Sequence, residues 1–162
     1  MVVSKEGFRE AMARLGAAVN VITTDGPAGR HGMTASAVCS VTDAPPILLL
    51  CVNRSNDSHD VIAANGVLCV NTLTHRQQSL SPIFAGLSDT DSQDQRFNAG
   101  HWQTLATGAP VLREAAASFD CRVSRRIEVN THSVFFCEVK AISLGAENEG
   151  LVYFGRKYHR VA

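Results

Sequence analysis

The 162-residue sequence lacks both a surplus of charge and a long apolar run. Its 15 Lys and Arg residues balance 15 Asp and Glu residues, so nothing electrostatic predicts nucleic acid or an anionic membrane as a partner. No run approaches the roughly 20 apolar residues of a membrane span, and the first residues show no basic-then-apolar signal pattern. We therefore expect a cytoplasmic protein with neither a membrane nor a nucleic-acid partner.

The cysteine pattern is not that of a disulfide framework or a metal site. There are five cysteines with no C-x-x-C pair, which favours buried free thiols in a reducing compartment. The six histidines are scattered, without an H-x-x-x-H or H-E-x-x-H pair. No metal site is predicted.

Several common catalytic motifs are absent as well. The sequence contains no G-x-x-x-x-G-K-[ST] and no G-x-S-x-G, which argues against P-loop phosphoryl transfer and against a hydrolase nucleophile elbow. Gly26, Gly29 and Gly32 are spaced G-x-x-G-x-x-G, which is not the Rossmann fingerprint and does not open a helix. A Rossmann dehydrogenase is therefore disfavoured.

What the sequence does contain is a series of short, β-branched apolar runs separated by turn residues. We predict strands at Ala18–Thr24, Thr34–Val41, Ile47–Val52, Val67–Leu73, Phe119–Arg126, Ser133–Ser143 and Leu151–Tyr158. We predict helices in Ser4–Gly16, in Ser58–Gly66 with Asp57 or Ser58 as the N-cap, and in Thr74–Gly86 with a capping box at Thr74 and Gln77.

The long polar stretch from Ser88 to Pro110 is predicted to be an irregular binding loop. Strands outnumber helices, and the connections are too short for regular βαβ crossovers. The predicted fold is therefore mainly β, an antiparallel barrel with peripheral helices, in one domain over residues 1–162.

Two polar, small-residue segments stand out against this pattern. GMTASAVCSV, from Gly32 to Val41, offers hydroxyls and small side chains where a core strand would carry bulkier residues, so a flat ligand could approach its backbone. CVNRSNDSHDVI ends a strand and runs straight into a helix, and a helix N-terminus beside Arg54 and Ser55 is suited to a phosphate. A polar barrel strand and a simple capped turn are the non-functional alternatives.

Several motifs in order resemble a known family. AVNVITT, GMTASAVCSVTDAPPILLLCVNRSN, NGVLCVN, FAG, and THSVFFCEV followed by GLVYFGRKYH are similar to the short-chain NAD(P)H:flavin oxidoreductases. These are the small reductase components of two-component aromatic monooxygenases, such as those acting on 4-hydroxyphenylacetate and chlorophenols. The resemblance extends from about Phe8 to His159. It implies a split β-barrel homodimer that binds FMN or FAD, accepts hydride from NADH or NADPH, and supplies reduced flavin to a separate phenol monooxygenase.

The resemblance also implies site residues, carried over motif by motif. Flavin contacts would come from Thr34, Ala35, Ser36, Ser40, Val41, Phe84, Ala85 and Gly86, phosphate contacts from Asn53, Arg54, Ser55 and Ser58, and nucleotide contacts from His132, Tyr153, Arg156 and Tyr158. Many family members have G-D-H where this chain has N-T-H, so the turn before His132 departs from the pattern. Hydride passes directly from nicotinamide to flavin, so no catalytic acid or base is predicted and His132 is interpreted as a positioning residue.

Three other functions remain open from the sequence. A flavin-binding electron carrier would keep its flavin during purification, whereas a reductase of diffusible flavin could lose it. An enzyme like pyridoxamine-phosphate oxidase, also a split barrel, would need an Arg- and Lys-rich clamp that is not evident here. A structural dimerisation module would not explain the polar strand segments.

Overall fold

The computed structural model describes residues 1–88, 92–146 and 149–162 of the chain. Its helices are α1 (Lys5–Met12), α2 (Asp57–Asn65), α3 (Leu80–Phe84) and α4 (Gln93–Asn98), with a 3-10 turn at His75–Gln77. Its strands are β1 (Ala17–Ala18), β2 (Asn20–Thr24), β3 (His31–Ala35), β4 (Val38–Asp43), β5 (Pro46–Asn53), β6 (Val67–Thr72), β7 (Trp102–Gln103), β8 (Val111–Leu112), β9 (Ala117–Val129), β10 (His132–Leu144), β11 (Gly150–Phe154) and β12 (Lys157–Val161). In this part of the chain, no helix is long and apolar enough to cross a membrane.

Seven strands form the main sheet in the order β3-β2-β6-β9-β10-β5-β4, and every neighbouring pair is antiparallel. A second sheet has the order β1-β11-β12, and β7 pairs with β8. The predicted mainly-β class with peripheral helices is confirmed.

The connection between β3 and β4 shows that the main sheet curls. These strands are the two edges of the sheet, yet only Ser36 and Ala37 join them. Three Cα–Cα steps of about 3.8 Å cannot separate Ala35 from Val38 by more than roughly 11 Å. A flat seven-stranded sheet would hold its edges about 29 Å apart, at about 4.8 Å per strand spacing. The edges must therefore come together, and the barrel is split beside the Thr34–Ser36 segment.

Apolar side chains fill the inside of the curled sheet. Neighbouring residues of β2 show the two faces: Ile22 packs inside the sheet and Val21 packs outside, and both are fully buried. The inner cluster collects side chains from β2, β3, β5, β6, β9, β10 and α2. The outer cluster covers the sheet with Leu80 and Phe84 of α3, Phe97 of α4, and Leu112 and Leu151. This outer layer places α3 and α4 next to β3.

Three predicted strands are each divided in the structure. Ala18–Thr24 breaks at Val19, because Ala18 belongs to β1 of the second sheet and Asn20–Thr24 to β2 of the main sheet. Thr34–Val41 breaks at Ser36 and Ala37, because the chain passes there from one edge of the sheet to the other. Leu151–Tyr158 is a hairpin, β11 and β12, whose turn residues Gly155 and Arg156 have φ of 59° and 60°. This left-handed backbone reverses the chain over two residues.

The helices also differ from the prediction in detail. The N-cap of α2 is Asn56, whose Oδ1 accepts a hydrogen bond from Ser58 N, one residue before the predicted cap. The predicted helix at 74–86 is a 3-10 turn followed by α3, which tolerates Pro82 in its first turn. Within the predicted loop at 88–110, α4 begins after Ser92 with a Ser92–Gln95 capping box. Residues 89–91 of that loop lie outside the described residues.

Candidate functional site

Two cavities meet along β3 and form one groove at the split of the barrel. The first, which we name the α2 cavity, has a volume of about 360 Å³. The second, the tyrosine cavity, has a volume of about 230 Å³. Thr34 and Ala85 line both cavities, so the two cavities adjoin along β3, and together they are called the groove. The α2 cavity is lined by His31, Met33, Thr34, Ser55, Asn56, Asp57, Ser58, Phe84, Ala85 and Arg96, and the tyrosine cavity by Val19, Thr34, Ala35, Ser36, Ser81, Ala85, Leu87, Tyr153 and Tyr158.

The N-terminus of α2 opens into the α2 cavity. Asn53 shapes the preceding turn, because its Oδ1 accepts hydrogen bonds from the N–H and the hydroxyl of Ser55, each at 2.9 Å. Ser58 on the first turn of α2 lies with its Oγ 2.7 Å from Nδ1 of His31 on β3. The first N–H groups of a helix carry partial positive charge and lack partners within the helix, so this end of the groove is suited to an anion.

Arg96 of α4 reaches the same cavity and was not predicted from the sequence. Its Nε is buried and has no hydrogen-bond partner within the described residues. A Cβ at Gly86 would lie 3.1 Å from Arg96 Nη2, and Gly86 has φ of 73°, so glycine leaves room for the guanidinium. The capping box at Ser92 and Gln95 was the signal that could have revealed this helix and the arginine on it.

His31 and Arg96 both line the α2 cavity. Burial lowers the pKa of His31, the nearby Arg96 charge lowers it further, and Asp57 opposes both effects. His31 is therefore neutral at pH 7 while the cavity holds no anion. An anion bound here would meet the permanent charge of Arg96, the helix terminus and an imidazole able to take up a proton.

The tyrosine cavity has hydroxyls and small side chains on its walls. Thr34 Oγ1 donates to the carbonyl oxygen of Ser81 at 2.6 Å, and Ser81 Oγ lies 2.7 Å from the Tyr158 hydroxyl. The rings of Tyr153 and Tyr158 are 5.2 Å apart. Ser36 and Ala37 are exposed at the break between β3 and β4. A planar ring with a polar edge fits these surroundings.

The structure brings nine of the predicted site residues to the groove. These are Thr34, Ala35, Ser36, Ser55, Ser58, Phe84, Ala85, Tyr153 and Tyr158. Their sequence segments are far apart, and the curled sheet together with α2, α3 and the β11–β12 hairpin assembles them. Their roles toward a ligand remain predictions.

Ser40 and Val41 lie on β4, away from both cavities of the groove. Ser40 lines a third cavity of about 250 Å³ between β4, β5, β9 and β10, which we name the outer cavity. Val41 is exposed near it. A flavin that contacts Ser40 and Val41, as predicted, would therefore have to extend beyond the groove of this single chain.

Arg54 lies in the loop that precedes α2, and His132 begins β10 after the neighbouring turn between β9 and β10. Arg54 Nη1 donates to the carbonyl oxygen of Asn130 at 3.2 Å, and its Nη2 is 3.7 Å from Glu128. His132 is exposed, pairs with Asn53 across the sheet, and has its Nδ1 2.8 Å from Thr131 Oγ1. Neither side chain lines the groove. The predicted phosphate and nucleotide contacts of these two residues stay predictions.

Arg156 lies at the tip of the β11–β12 hairpin and pairs with α1. Its Nη1 is 2.8 Å from Glu10 Oε2, and this contact lowers the pKa of the Glu10 carboxyl. The N–H of Gly155 donates to the carbonyl oxygen of Ala13 at 2.7 Å. The contact of Arg156 with nucleotide stays a prediction, and it would require the ion pair between Arg156 and Glu10 to open.

The groove brings together charged and hydroxyl side chains, among them His31, Asp57, Arg96 and the two tyrosines. Among residues 1–88, 92–146 and 149–162, no three His, Cys, Asp or Glu side chains gather as metal ligands would. All five cysteines are free thiols. Burial raises the pKa of Cys137 to about 12 and that of Cys69 well above its ordinary value, so these two are not thiolates at neutral pH.

Comparisons with known proteins show which family the chain is similar to. A family model described as flavin reductase like domain matches residues 12–162. The chain is 57% identical over 161 residues to "FMN reductase (NADH) RutF" of Variovorax paradoxus (strain S110), an alignment that covers 99% of this chain and 88% of that protein.

Solved structures show the same fold. The Streptomyces globisporus C-1027 NADH:FAD oxidoreductase SgcE6, in complex with NAD and FAD fragments, matches with a TM-score of 0.87 and 28% identity, covering 100% of this chain and 97% of that one. BorF, the flavin reductase component of a bacterial two-component tryptophan halogenase, matches with a TM-score of 0.88 and 27% identity, covering 98% of each chain.

These comparisons identify the chain as a flavin reductase. The chain belongs to the flavin reductase like domain family. The family resemblance and the enzyme class predicted from the sequence are thereby confirmed.

Proposed function

We propose that this protein oxidises NADH and transfers the hydride to FMN. The observation that carries the proposal is the single groove that runs from the α2 N-terminus and Arg96 to the small residues Thr34–Ser36. Its end at Arg96 and the α2 N-terminus suits a phosphate monoester, and its other end suits a flat ring. The relative with 57% identity is named as an NADH-dependent FMN reductase, which supports this pair of reactants.

The side chain of Arg96 supports the placement of a flavin phosphate in the groove. Arg96 Nε is buried beside the α2 N-terminus with no hydrogen-bond partner in the described part of the chain, which is the donor a phosphate oxygen would satisfy. Ser55, Ser58 and the first N–H groups of α2 hold the phosphate in this proposal. Thr34, Ala35 and Ser36 hold the ring edge, with Phe84 and Ala85 beneath it.

The flavin supplies the redox chemistry when bound, and this chain supplies placement. The groove residues hold the reactants at a reacting distance of about 3–3.5 Å, which lowers the barrier without a proton carrier. His132, Tyr153, Arg156 and Tyr158 are proposed to hold NADH on the open side of the groove. Tyr153 and Tyr158 line the groove, whereas His132 is at the start of β10, paired with Asn53, and Arg156 is in the turn of the β11–β12 hairpin.

The reduced flavin then leaves for a separate oxygenase component, which is the partner in this proposal. Support comes from BorF, which is the reductase of a two-component system. The resemblance to reductases of phenol monooxygenases implies an aromatic substrate for that oxygenase. The free thiols of all five cysteines support work in the reducing cytoplasm.

A homodimer is also proposed, and one apolar face supports it. Val41, Ile142 and Leu144 are 46%, 54% and 76% exposed around the outer cavity. Phe119, Val139 and Ile47 line that cavity from within. A second copy seated on this face would bury these side chains and cover Ser40.

One steady-state experiment tests the proposed function. NADH and NADPH are each offered with FMN, FAD and riboflavin, and NADH oxidation is followed anaerobically by absorbance. We expect the highest kcat/KM for NADH with FMN. Reduced flavin should then support hydroxylation by an added phenol monooxygenase component across a dialysis membrane. NADH oxidation that needs no added flavin and keeps the flavin bound would identify an electron carrier instead.

A further inference from the structure

The imidazole of His59 is buried outside the groove and joins two elements of the site. His59 is the third residue of α2 and is 3% exposed. Its Nε2 lies 2.8 Å from Ser133 Oγ on β10, and its Nδ1 lies 2.8 Å from Asp60 Oδ1. The ring of Phe135 packs against it at 5.5 Å between centroids.

The Asp60 contact fixes one end of this link. A carboxylate can only accept, so Nδ1 of His59 carries a proton that points to Asp60. Nε2 of a ring protonated on Nδ1 alone is an acceptor for the Ser133 hydroxyl. Ser133 is fully buried, so loss of the imidazole would leave its hydroxyl without this acceptor.

Each end of the link is next to a residue of the proposed site. His59 directly follows Ser58, which lines the α2 cavity. Ser133 directly follows His132, which pairs with Asn53 of β5. The hydrogen bond between His59 and Ser133 therefore connects the helix that receives the phosphate to the strand that carries His132.

Arg54, in the loop before α2, also forms hydrogen bonds with the turn between β9 and β10 that precedes His132. The N–H of Arg54 donates to the carbonyl oxygen of Thr131 at 2.9 Å, and its guanidinium donates to that of Asn130 at 3.2 Å. Asn130 has φ of 50°, a left-handed conformation that the tight turn between β9 and β10 requires. The turn and the loop before α2 thus form one hydrogen-bonded unit.

We propose that His59 is a positioning residue for hydride transfer. This role rests on the proposed function. The hydrogen bond between His59 and Ser133 fixes the distance between His132 and the groove. The link keeps a nicotinamide held at His132 in register with a flavin whose phosphate lies at α2. Neither His59 nor Ser133 touches a reactant. Their effect is on geometry, to which hydride transfer is sensitive.

Three variants test the link in the full-length protein. His59→Phe keeps the ring and removes both hydrogen bonds, Ser133→Ala removes the donor, and His59→Gln keeps an acceptor near the position of Nε2. FMN affinity is measured by titration, and reduction of bound FMN by NADH is measured by stopped flow. We expect the Phe and Ala variants to slow reduction about tenfold, since a shift of about 1 Å can cost about 100-fold. FMN affinity should stay within twofold, and the Gln variant should recover most of the rate.

Thr24→Val is the matched control for a general loss of stability. Thr24 Oγ1 donates to the carbonyl oxygen of Val67 at 2.7 Å and accepts from Asn65 Nδ2 at 3.1 Å, and none of these residues lines the groove. We expect a lower melting temperature with an unchanged reduction rate. The double variant His59→Phe with Ser133→Ala should be no slower than either single variant, because both remove the same link.

Two results would overturn the inference while leaving the proposed function in place. One is wild-type reduction kinetics in a folded Ser133→Ala protein. The other is an equal loss of FMN affinity and reduction rate in every variant, including Thr24→Val. A wild-type protein that does not reduce FMN with NADH would instead overturn the proposed function and this inference together.

Discussion

Nδ1 of His31 lies 2.7 Å from Oγ of Ser58, and this contact joins β3 to the first turn of α2. It closes one wall of the α2 cavity and places an imidazole opposite Arg96. Because burial and the Arg96 charge lower the pKa of His31, the imidazole is neutral before an anion binds. Because this imidazole can take up a proton when an anion binds beside it, we expect anion binding in this cavity to depend on pH.

The first prediction concerns this pH dependence. A phosphate dianion beside His31 should raise its pKa, so binding of FMN near pH 7.5 takes up a proton and tightens as pH falls from 8 to 7. Isothermal titration in buffers of different ionisation enthalpy measures the uptake. Riboflavin, which lacks the phosphate, and the His31→Gln protein should show none. Equal uptake with riboflavin would contradict the assignment.

The second prediction concerns Arg96. Arg96→Gln should weaken FMN about ten- to hundredfold, since a charge-assisted hydrogen bond contributes about 1.5–3 kcal/mol. Riboflavin affinity should change little. Arg30→Gln is the control, because Arg30 already pairs with Asp94 at 3.1 Å, lies over the Phe97 ring at 4.4 Å and is outside the cavity. If both flavins weaken equally in Arg96→Gln, the arginine supports the fold rather than the phosphate.

The third prediction separates two roles of Arg54. The sequence resemblance places its guanidinium on the phosphate, whereas in the structure it donates to Asn130 of the neighbouring turn. We expect Arg54→Ala to slow reduction by NADH several-fold while the ratio of FMN to riboflavin affinity stays constant. Stopped-flow reduction and flavin titration on the same protein provide both values. A selective loss of FMN affinity would instead support the phosphate contact.

The fourth prediction concerns the close packing behind β3. A Cβ at Gly32 would lie 2.5 Å from Phe84 Cε1 and 3.3 Å from Phe97 Cζ. Gly32→Ala should therefore lower the free energy of unfolding by about 1–3 kcal/mol, as overpacking does. Phe84→Leu should relieve part of this loss in the double variant. Gly150→Ala is the matched control, since its Cβ would be 3.8 Å from the nearest atom, and it should unfold like the wild type.

The fifth prediction concerns the second copy of the chain. Light scattering should give twice the 17.4 kDa of one chain for the wild type. Ile142→Glu should shift the mass toward one chain, because it places a charge on the exposed face beside the outer cavity. Leu105→Glu, at an exposed residue that does not line the outer cavity, should leave the dimer intact. A wild type of 17.4 kDa at micromolar concentration would rule out this assembly.

Much of the fold followed from short-range patterns in the sequence. β-branched runs predicted the strands β2, β5, β6, β9 and β10, since alternation along a strand needs only a few residues to be visible. The α1 prediction was right in position, yet Phe8 and Met12 of α1 are exposed on this chain rather than packed in its core. An amphipathic pattern predicts a helix and not the surface that covers it.

The site was predicted where its residues belong to one motif and missed where they do not. Thr34, Ser36 and Ser58 belong to segments whose small and hydroxyl side chains are visible locally, and the structure places all three on the groove. Arg96 stands in the stretch predicted to be an irregular loop, and His31 lies before the predicted strand at Thr34–Val41. His31 meets Ser58 because α2 packs on β3, and Arg96 lines the same cavity because α4 packs on the outer face of the sheet.

The sequence by itself determined the mainly-β class, the presence of α2 after the β5 strand and the small residues at Thr34–Ser36, because each depends on neighbours a few residues away. Only the tertiary structure decided that Ser36 and Ala37 cross from one edge of the sheet to the other, and that Arg96 lines the same cavity as the α2 N-terminus. Both depend on the curl of seven strands and on burial of Phe84 and Phe97 against them. Such contacts result from the free energy of packing the whole chain, which no local pattern contains.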